Sequence, residues 1–135
     1  MPLSLLIVLG LFGIYLLMRG SQRGRRHGDP DAETLEELLR AGSDLGQPHE
    51  VEFFLYVESR DDAESIATRV RAEGFTAEVR PTETESCWLC LATRTMHPEI
   101  VALRQLRDHF TELAESAGGA YDGWGTTVVE DERPS

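Results

Sequence analysis

The arrangement of hydrophobic and polar residues divides the chain into two parts. Residues 2–18 (PLSLLIVLGLFGIYLLM) contain no charged residue and would be apolar on every side of a helix. From residue 29 onward, hydrophobic residues instead recur at two spacings. A spacing of three or four is typical of amphipathic helices, and alternation with polar residues is typical of strands that bury one face. The second part is therefore predicted to fold as an α+β domain.

The predicted elements of this domain begin with a helix that starts at Asp29 and ends before Gly42. Asp29 suits the cap position, and Pro30 suits the first turn. Residues 49–57 then alternate as a strand, and a helix, two strands, a long helix and a last strand follow. After the first helix, this βαββαβ order is that of a ferredoxin-like sandwich, in which both helices cover one face of an antiparallel sheet.

The apolar stretch before this domain has the character of a membrane anchor. As a helix its 17 residues span about 25 Å, near the lower limit for crossing a bilayer. The arginines that follow should remain on the cytoplasmic side and leave the N-terminus outside. These membrane-orienting residues are Arg19, Arg23, Arg25 and Arg26. The alternative is a secretory signal peptide, although a basic region normally precedes the apolar run of such a peptide.

The chain is thus predicted to have four segments. They are a transmembrane anchor (1–18), a basic flexible linker (19–28), a folded domain (29–130) and a short acidic tail (131–135). The predicted fold is a ferredoxin-like sandwich with an extra N-terminal helix, preceded by one transmembrane helix.

Charge is distributed unevenly along the chain. The sequence has 24 acidic and 13 basic residues, a net charge of −11, and no lysine. The part from His27 onward contains nine arginines and all 24 carboxylates, so that its net charge is −15. Such a body repels the phosphate backbone of nucleic acids and attracts basic proteins. Direct nucleic acid binding is therefore not expected. Acidity that serves only solubility is the alternative to a basic partner.

Residue patterns for catalysis or metal binding are weak. Cys87 and Cys90 have the CxxC spacing of redox and zinc sites, but in a predicted strand residues three apart point to opposite faces. A zinc site also needs two further ligands. The histidines are scattered, and His109 on the long helix is expected to be solvated. The sequence predicts no enzyme activity, no cofactor and no metal site.

The two helices of the βαββαβ unit leave one face of the predicted sheet uncovered. Phe54 and Tyr56 are expected on that face, and Trp88 is a further candidate. Aromatic residues at such positions stack bases in RNA-recognition domains, but Glu50 and Glu52 share this face. We expect the first helix to cover it. An open docking surface is the alternative.

The stretch YDGWGT, residues 121–126, places a tryptophan between two glycines. Glycine permits a bulge or tight turn in the last strand, so that side chains need not alternate there. Trp124 either seals one end of the core or forms, with Tyr121 and Asp122, a docking patch for an arginine. The pattern leaves both interpretations open.

Two stretches, LEELLRAGSD (residues 35–44) and YDGWGT, resemble the regulator of ribonuclease activity B family, RraB. The resemblance extends from about Glu33 to Glu130. It implies a small, acidic, ferredoxin-like bacterial protein that is not an enzyme and inhibits ribonuclease E by binding its arginine-rich, non-catalytic region. The chain departs from the family pattern in its apolar start and in its short tail, EDERPS.

The predicted function is that of a protein anchored in the bacterial inner membrane, with its domain in the cytoplasm, that binds and inhibits an endoribonuclease of the ribonuclease E type. A membrane-tethered acidic adaptor with a different protein target is the alternative. The candidate partner-binding residues come from the two motifs and are Asp44, Tyr121, Asp122, Gly123, Trp124 and Gly125.

Overall fold

The computed structural model describes residues 28–84 and 86–130. Its elements are α1 (Pro30–Arg40), β1 (His49–Val57), α2 (Arg60–Ala72), β2 (Thr76–Pro81), β3 (Trp88–Met96), α3 (Ile100–Ser116) and β4 (Ala120–Gly125). The four strands form one sheet in the order β2-β3-β1-β4.

The chain is an α+β protein with an antiparallel sheet. Strands β2 and β3 pair in antiparallel register, with Val79 opposite Cys90. Helix α2 joins β1 to β2, which lie on the two sides of β3. Helix α3 joins β3 to β4 in the same way, across β1. After α1 the order is therefore βαββαβ with interleaved strands, which is the split βαβ arrangement.

The prediction of a preceding transmembrane helix, and with it a single-pass inner-membrane location, is contradicted. Within residues 28–84 and 86–130, no helix is long and apolar enough to cross a membrane. The helices have 11, 13 and 17 residues and carry charged side chains. Residues 1–18, the arginines of the linker and the tail at 131–135 lie outside the described residues.

The chain divides into two compact units. The first unit contains the described residues up to Val51, Thr95–Ile100 and those from Gly125 onward. The second unit contains Glu52–Arg94 and Val101–Trp124.

Aromatic packing fills the core of the second unit. The rings of Phe53, Phe75 and Phe110 lie edge to face, with centroids 5.1–5.7 Å apart. Tyr121 of β4 lies 5.7 Å from Phe110. Helix α2 begins where the Ser59 hydroxyl accepts a hydrogen bond from the Asp62 amide at 3.1 Å, an N-cap that satisfies one of the helix's free donors. Its buried face consists of Ala63, Ile66, Ala67 and Val70.

The first unit is built differently, because several of its buried side chains are polar. Helix α1 is capped by Asp29, whose carboxylate accepts a hydrogen bond from the Asp31 amide at 2.9 Å. Asp31 itself is fully buried, as is Leu38 near the other end of the helix. Ser43, His49 and Thr126 are also buried.

Candidate functional site

The C-terminal motif lies in β4, with its two aromatic side chains inside the protein. Trp124 is 1% exposed and Tyr121 is 3% exposed, although residues three apart in a regular strand point to opposite faces. Gly123 has a φ of 104°, a backbone conformation that favours glycine. The positive φ angle breaks the alternation of the strand, which is how both rings come to be buried.

This burial favours the interpretation of Trp124 as a core residue. Gly123 and Gly125 are buried as well. Asp122 is the one residue of 121–125 that is not fully buried, and it is half-buried. A partner could therefore reach Asp122 directly, while the aromatic residues would act by shaping β4. Whether these residues bind a partner stays a prediction.

An arginine does stack on Tyr121, but it belongs to the protein itself. The guanidinium carbon of Arg107, on α3, lies 5.4 Å from the centre of the Tyr121 ring. This is within the range of a cation–π contact, so the Tyr121 ring, which one of the two interpretations assigns to a partner's arginine, already receives an internal one.

The other motif ends in a loop that pairs with the segment after β4. The amide of Asp44 donates to the carbonyl of Val129 at 2.6 Å. In return, the amide of Val129 donates to the hydroxyl oxygen of Ser43 at 2.9 Å. The side chain of Asp44 is half-buried, and its carboxylate accepts a bond from the Gly46 amide at 3.0 Å. Residues 43–44 and 129 are thus joined across 86 positions of sequence.

His49, at the start of β1, completes this arrangement. Its Nδ1 lies 2.8 Å from the Gln47 carbonyl, and its Nε2 lies 2.6 Å from the Ser43 hydroxyl. Because a carbonyl can only accept, Nδ1 must carry the proton. In the neutral ring Nε2 therefore accepts the hydroxyl proton of Ser43. We call Ser43, His49 and Val129 the buried polar cluster.

The surroundings of His49 favour its neutral form. Burial lowers the pKa of His49, because the charged ring loses its hydration. The Gln47 carbonyl and the charge of Asp44 oppose this effect, and His97 adds to it. With the ring neutral, Nε2 remains available as an acceptor for Ser43.

Sequence reasoning named Asp44 as a candidate but did not connect Ser43, His49 and Val129 as a group. Val129 is 86 positions from Ser43 along the chain, and no periodic pattern connects the three residues. A second bond of the same kind lies nearby, since the Thr126 hydroxyl donates to the Glu50 carbonyl at 2.7 Å. The segments that contain the two family-like motifs are therefore linked in the first unit.

The sequence had suggested that His109 is solvated, but in the structure it is only partly exposed. Its Nε2 lies 2.8 Å from a carboxylate oxygen of Glu73, and the other oxygen of that carboxylate accepts a 2.9 Å bond from Arg69. Burial alone would raise the pKa of Glu73, but the bonds from His109 and Arg69 outweigh it and lower that pKa. The third member of this group is a cation rather than a nucleophile, so the geometry is that of a hydrogen-bonded network between α2 and α3 and not of a catalytic triad.

The CxxC cysteines are free thiols. Cys87 is half-buried, and Cys90 is buried in β3, where burial raises its pKa to about 11. Its thiol is therefore protonated and unreactive near neutral pH. Among residues 28–84 and 86–130 no three histidine, cysteine or carboxylate side chains lie close enough together to hold a metal ion.

Trp88 does not lie where the sequence had suggested. Trp88 and Cys90 are two residues apart in β3 and so lie on the same face of the sheet, and Arg60 of α2 lies 5.7 Å from the Trp88 ring centre. Trp88 therefore belongs to the helix-covered face of the sheet. Phe54 and Tyr56 alternate with the buried residues of β1 and are half-buried. Whether α1 covers them stays a prediction.

Comparison with known families gives this geometry a context. Residues 29–126 match the sequence model of RraB, described as Regulator of ribonuclease activity B. The chain belongs to the RraB family. The match includes both motifs and every helix and strand from α1 to β4, so the resemblance inferred from two short stretches is confirmed. As an RraB protein, the chain belongs to a family of regulators of ribonuclease activity. No curated protein matches the sequence.

Proposed function

We propose that this RraB-family chain inhibits an endoribonuclease of the ribonuclease E type by binding its arginine-rich, non-catalytic region, without catalysing a reaction. The observation that carries the proposal is the family match, which includes 98 of the 135 residues. Charge supports it independently, because an acidic surface and an arginine-rich segment attract each other.

The distribution of ion pairs leaves a surplus of negative charge for a partner. Residues 28–130 contain 22 acidic residues and 8 arginines. Among the described residues, four arginines that pair with carboxylates of the chain itself are Arg40, Arg60, Arg69 and Arg80. The surplus includes exposed side chains such as Asp108, Glu112 and Glu115 of α3. Such a field speeds the encounter with a basic segment, but by itself it does not select one.

Selectivity is assigned to the candidate residues Asp44 and Asp122. Both residues are half-buried, and the Asp44 carboxylate accepts a hydrogen bond from the Gly46 amide at 3.0 Å. A carboxylate in such a position can form a directional bond with a guanidinium, which a fully solvated one does less well. The buried Tyr121, Gly123, Trp124 and Gly125 would then serve to fix β4, on which Asp122 lies.

Calorimetric titration tests the proposal. The full 135-residue chain is titrated with the arginine-rich, non-catalytic segment of ribonuclease E from the same organism, at near-physiological salt. Saturable one-to-one binding that survives a several-fold rise in salt is expected. Heat that disappears as salt rises shows only charge attraction, and no heat at all points to an adaptor with a different protein target. Either result contradicts the proposal.

Single-charge variants locate the contact. Asp44→Asn and Asp122→Asn each remove one charge, and Asp44→Asn keeps the oxygen that accepts from Gly46. Glu115→Gln is the matched control, since it removes one exposed charge on the last turn of α3, outside both motifs. We expect the two aspartate variants to weaken binding by about tenfold and the control by less than about twofold. Equal effects of all three variants would show that only net charge matters.

An activity measurement completes the test. Cleavage of a ribonuclease E substrate RNA by the full enzyme should slow as the chain is added. An enzyme that lacks its arginine-rich segment should be unaffected, because the proposed contact lies outside the catalytic region. Inhibition of both forms to the same degree would place the contact elsewhere on the enzyme.

A further inference from the structure

The position of Asp44 depends on a short series of hydrogen bonds. Its side chain accepts a hydrogen bond from the Gly46 amide, two residues away and at the surface. Its longer-range bond is that of its amide to the Val129 carbonyl. Asp44 therefore keeps its orientation only as long as the segment after β4 keeps its own.

That segment is in turn held from inside the first unit. The Val129 amide donates to Ser43, whose hydroxyl proton points to Nε2 of His49 at 2.6 Å. His49 is 1% exposed, and its ring is fixed by the Gln47 carbonyl. The bonds thus run from Gln47 through His49 and Ser43 to Val129 and Asp44. The series contains a buried hydroxyl and a buried imidazole, and a protein loses stability when such buried polar groups lose a hydrogen-bond partner.

We propose that Ser43 and His49 are positioning residues, which fix the segment after β4 against the loop that bears Asp44 and so aim the Asp44 carboxylate at a basic partner. This inference rests on the proposed function, because it assigns Asp44 to partner binding. It assigns Ser43 and His49 no contact with the partner, since both are buried.

The arrangement is sensitive to protonation. If His49 gains a second proton, its Nε2 becomes a donor, and Ser43 must turn its own proton away. The alternative acceptor for Ser43 is the Val129 carbonyl at 3.4 Å, which already accepts the amide of Asp44. The other charged groups facing His49 are Asp44 and His97. Because burial lowers the pKa of His49, the arrangement is intact at neutral pH and loosens at acidic pH.

Two matched variants of the full chain test the positioning role. Ser43→Ala removes the hydroxyl of the buried polar cluster. Thr126→Val removes an equally buried hydroxyl of the same unit, whose bond goes to Glu50 instead. Amide hydrogen exchange is followed at Asp44, and affinity is measured by titration with the arginine-rich ribonuclease E segment. Ser43→Ala should speed exchange at Asp44 about tenfold and weaken binding about fivefold. Thr126→Val should change both by less than twofold, and Ser43→Thr should restore both.

The pH profile gives a second readout that a merely structural role would not produce. Exchange at Asp44, corrected for its intrinsic pH dependence, should accelerate between pH 7.5 and 5.5. In His49→Gln, whose side chain does not titrate, that acceleration should be absent. An identical profile in both proteins would overturn the role of His49.

The outcomes separate this proposal from the function on which it rests. If the unmodified chain does not bind the segment, the proposed function fails and the positioning role fails with it. If the unmodified chain binds, and Ser43→Ala frees the Asp44 amide without weakening binding, only the positioning role is overturned. Equal loss of binding in Ser43→Ala and Thr126→Val also overturns it, because general destabilisation then explains both.

Discussion

The interactions inside the first unit differ in kind from those inside the second unit. In the second unit the aromatic rings of Phe53, Phe75 and Phe110 pack against one another. The buried polar or charged residues of the described chain all belong to the first unit, and they are Asp31, Ser43, His49 and Thr126. Apolar packing tolerates small shifts, whereas a buried hydrogen bond fixes both distance and direction. We therefore infer that the second unit provides most of the stability, and that buried hydrogen bonds fix the positions of groups in the first unit.

The largest expected effect comes from removing the centre of the aromatic core. Phe110 is fully buried and contacts three other aromatic rings of the second unit. Phe110→Ala should lower the free energy of unfolding by about 4 kcal/mol, as the transfer energy of the ring and the resulting cavity both contribute. Urea unfolding of the full chain measures this. Leu39→Ala, at a side chain that is 56% exposed, is the control and should change it little. Similar losses would contradict the assignment of the core.

The second prediction concerns the close approach of two backbones in the second unit. A Cβ atom at Gly119 would lie 1.9 Å from the carbonyl oxygen of Tyr56, in β1. Gly119→Ala should therefore cost about 3 kcal/mol, since backbone atoms must move apart. The neighbouring Gly118 has open space around it but a φ of 78°. Gly118→Ala should cost only about 1 kcal/mol, from conformational strain. Thermal unfolding of both variants decides whether contact or conformation dominates at this turn.

How far the sequence predicts the structure also differs between the units. The buried positions of β1 and α2 follow from alternation and helical spacing, because apolar burial imposes those periods on the sequence. The approach of Gly119 to Tyr56 has no such signal. No sequence pattern predicts the hydrogen bonds from Ser43 to His49 and Val129 either, because a hydrogen bond requires two partners close in space and sets no spacing along the chain.

For the candidate site, the sequence named two segments and left open whether Trp124 lies in the core or forms a docking patch, and partner binding by these residues stays a prediction. The motif YDGWGT was sufficient to indicate the family, and its glycines indicated an irregular strand. Burial of Tyr121 and Trp124 could not be deduced, because an aromatic residue between small neighbours is as consistent with a docking patch as with a core. The apolar run near the N-terminus had suggested a membrane anchor from composition alone, which no helix in the described part of the chain supports.

The third prediction tests the polar character of the first unit. His49→Leu replaces the buried imidazole with an apolar group and leaves the Ser43 hydroxyl and the Gln47 carbonyl without this partner. We expect a loss of about 2 kcal/mol at pH 7.5, because buried polar groups that lose a hydrogen bond are costly. Chemical unfolding measures the loss. A neutral or stabilising substitution would show that the first unit, like the second, relies on apolar packing.

The fourth prediction follows from the pKa of His49, which burial lowers below the usual 6.5. A histidine of this kind binds fewer protons folded than unfolded, so its contribution to stability is complete above pH 6.5 and declines as pH falls below it. The difference in unfolding free energy between the unmodified chain and His49→Leu should therefore narrow from pH 7.5 to 5.5. Glu73 and the other titrating groups are present in both proteins, so their contributions cancel when the unfolding free energies are subtracted at each pH. A constant or widening difference would contradict the lowered pKa.

The smallest expected effects compare one ion pair from each unit. Arg40, at the end of α1, pairs with Glu36 and Glu37, and its side chain is 64% exposed. Arg69, on α2, pairs with Glu73, whose side chain is 28% exposed and also meets His109. Water and salt screen the first group, so Arg40→Gln should cost less than about 0.5 kcal/mol, and that cost should vanish in high salt. Arg69→Gln should cost about 1 kcal/mol, because it removes one of two groups that hold a less exposed carboxylate.

If the two variants are equal at every salt concentration, the network between α2 and α3 adds nothing to the apolar packing of the second unit. A difference that persists in high salt would show that this unit also uses a directional polar contact, although at its edge rather than in its core.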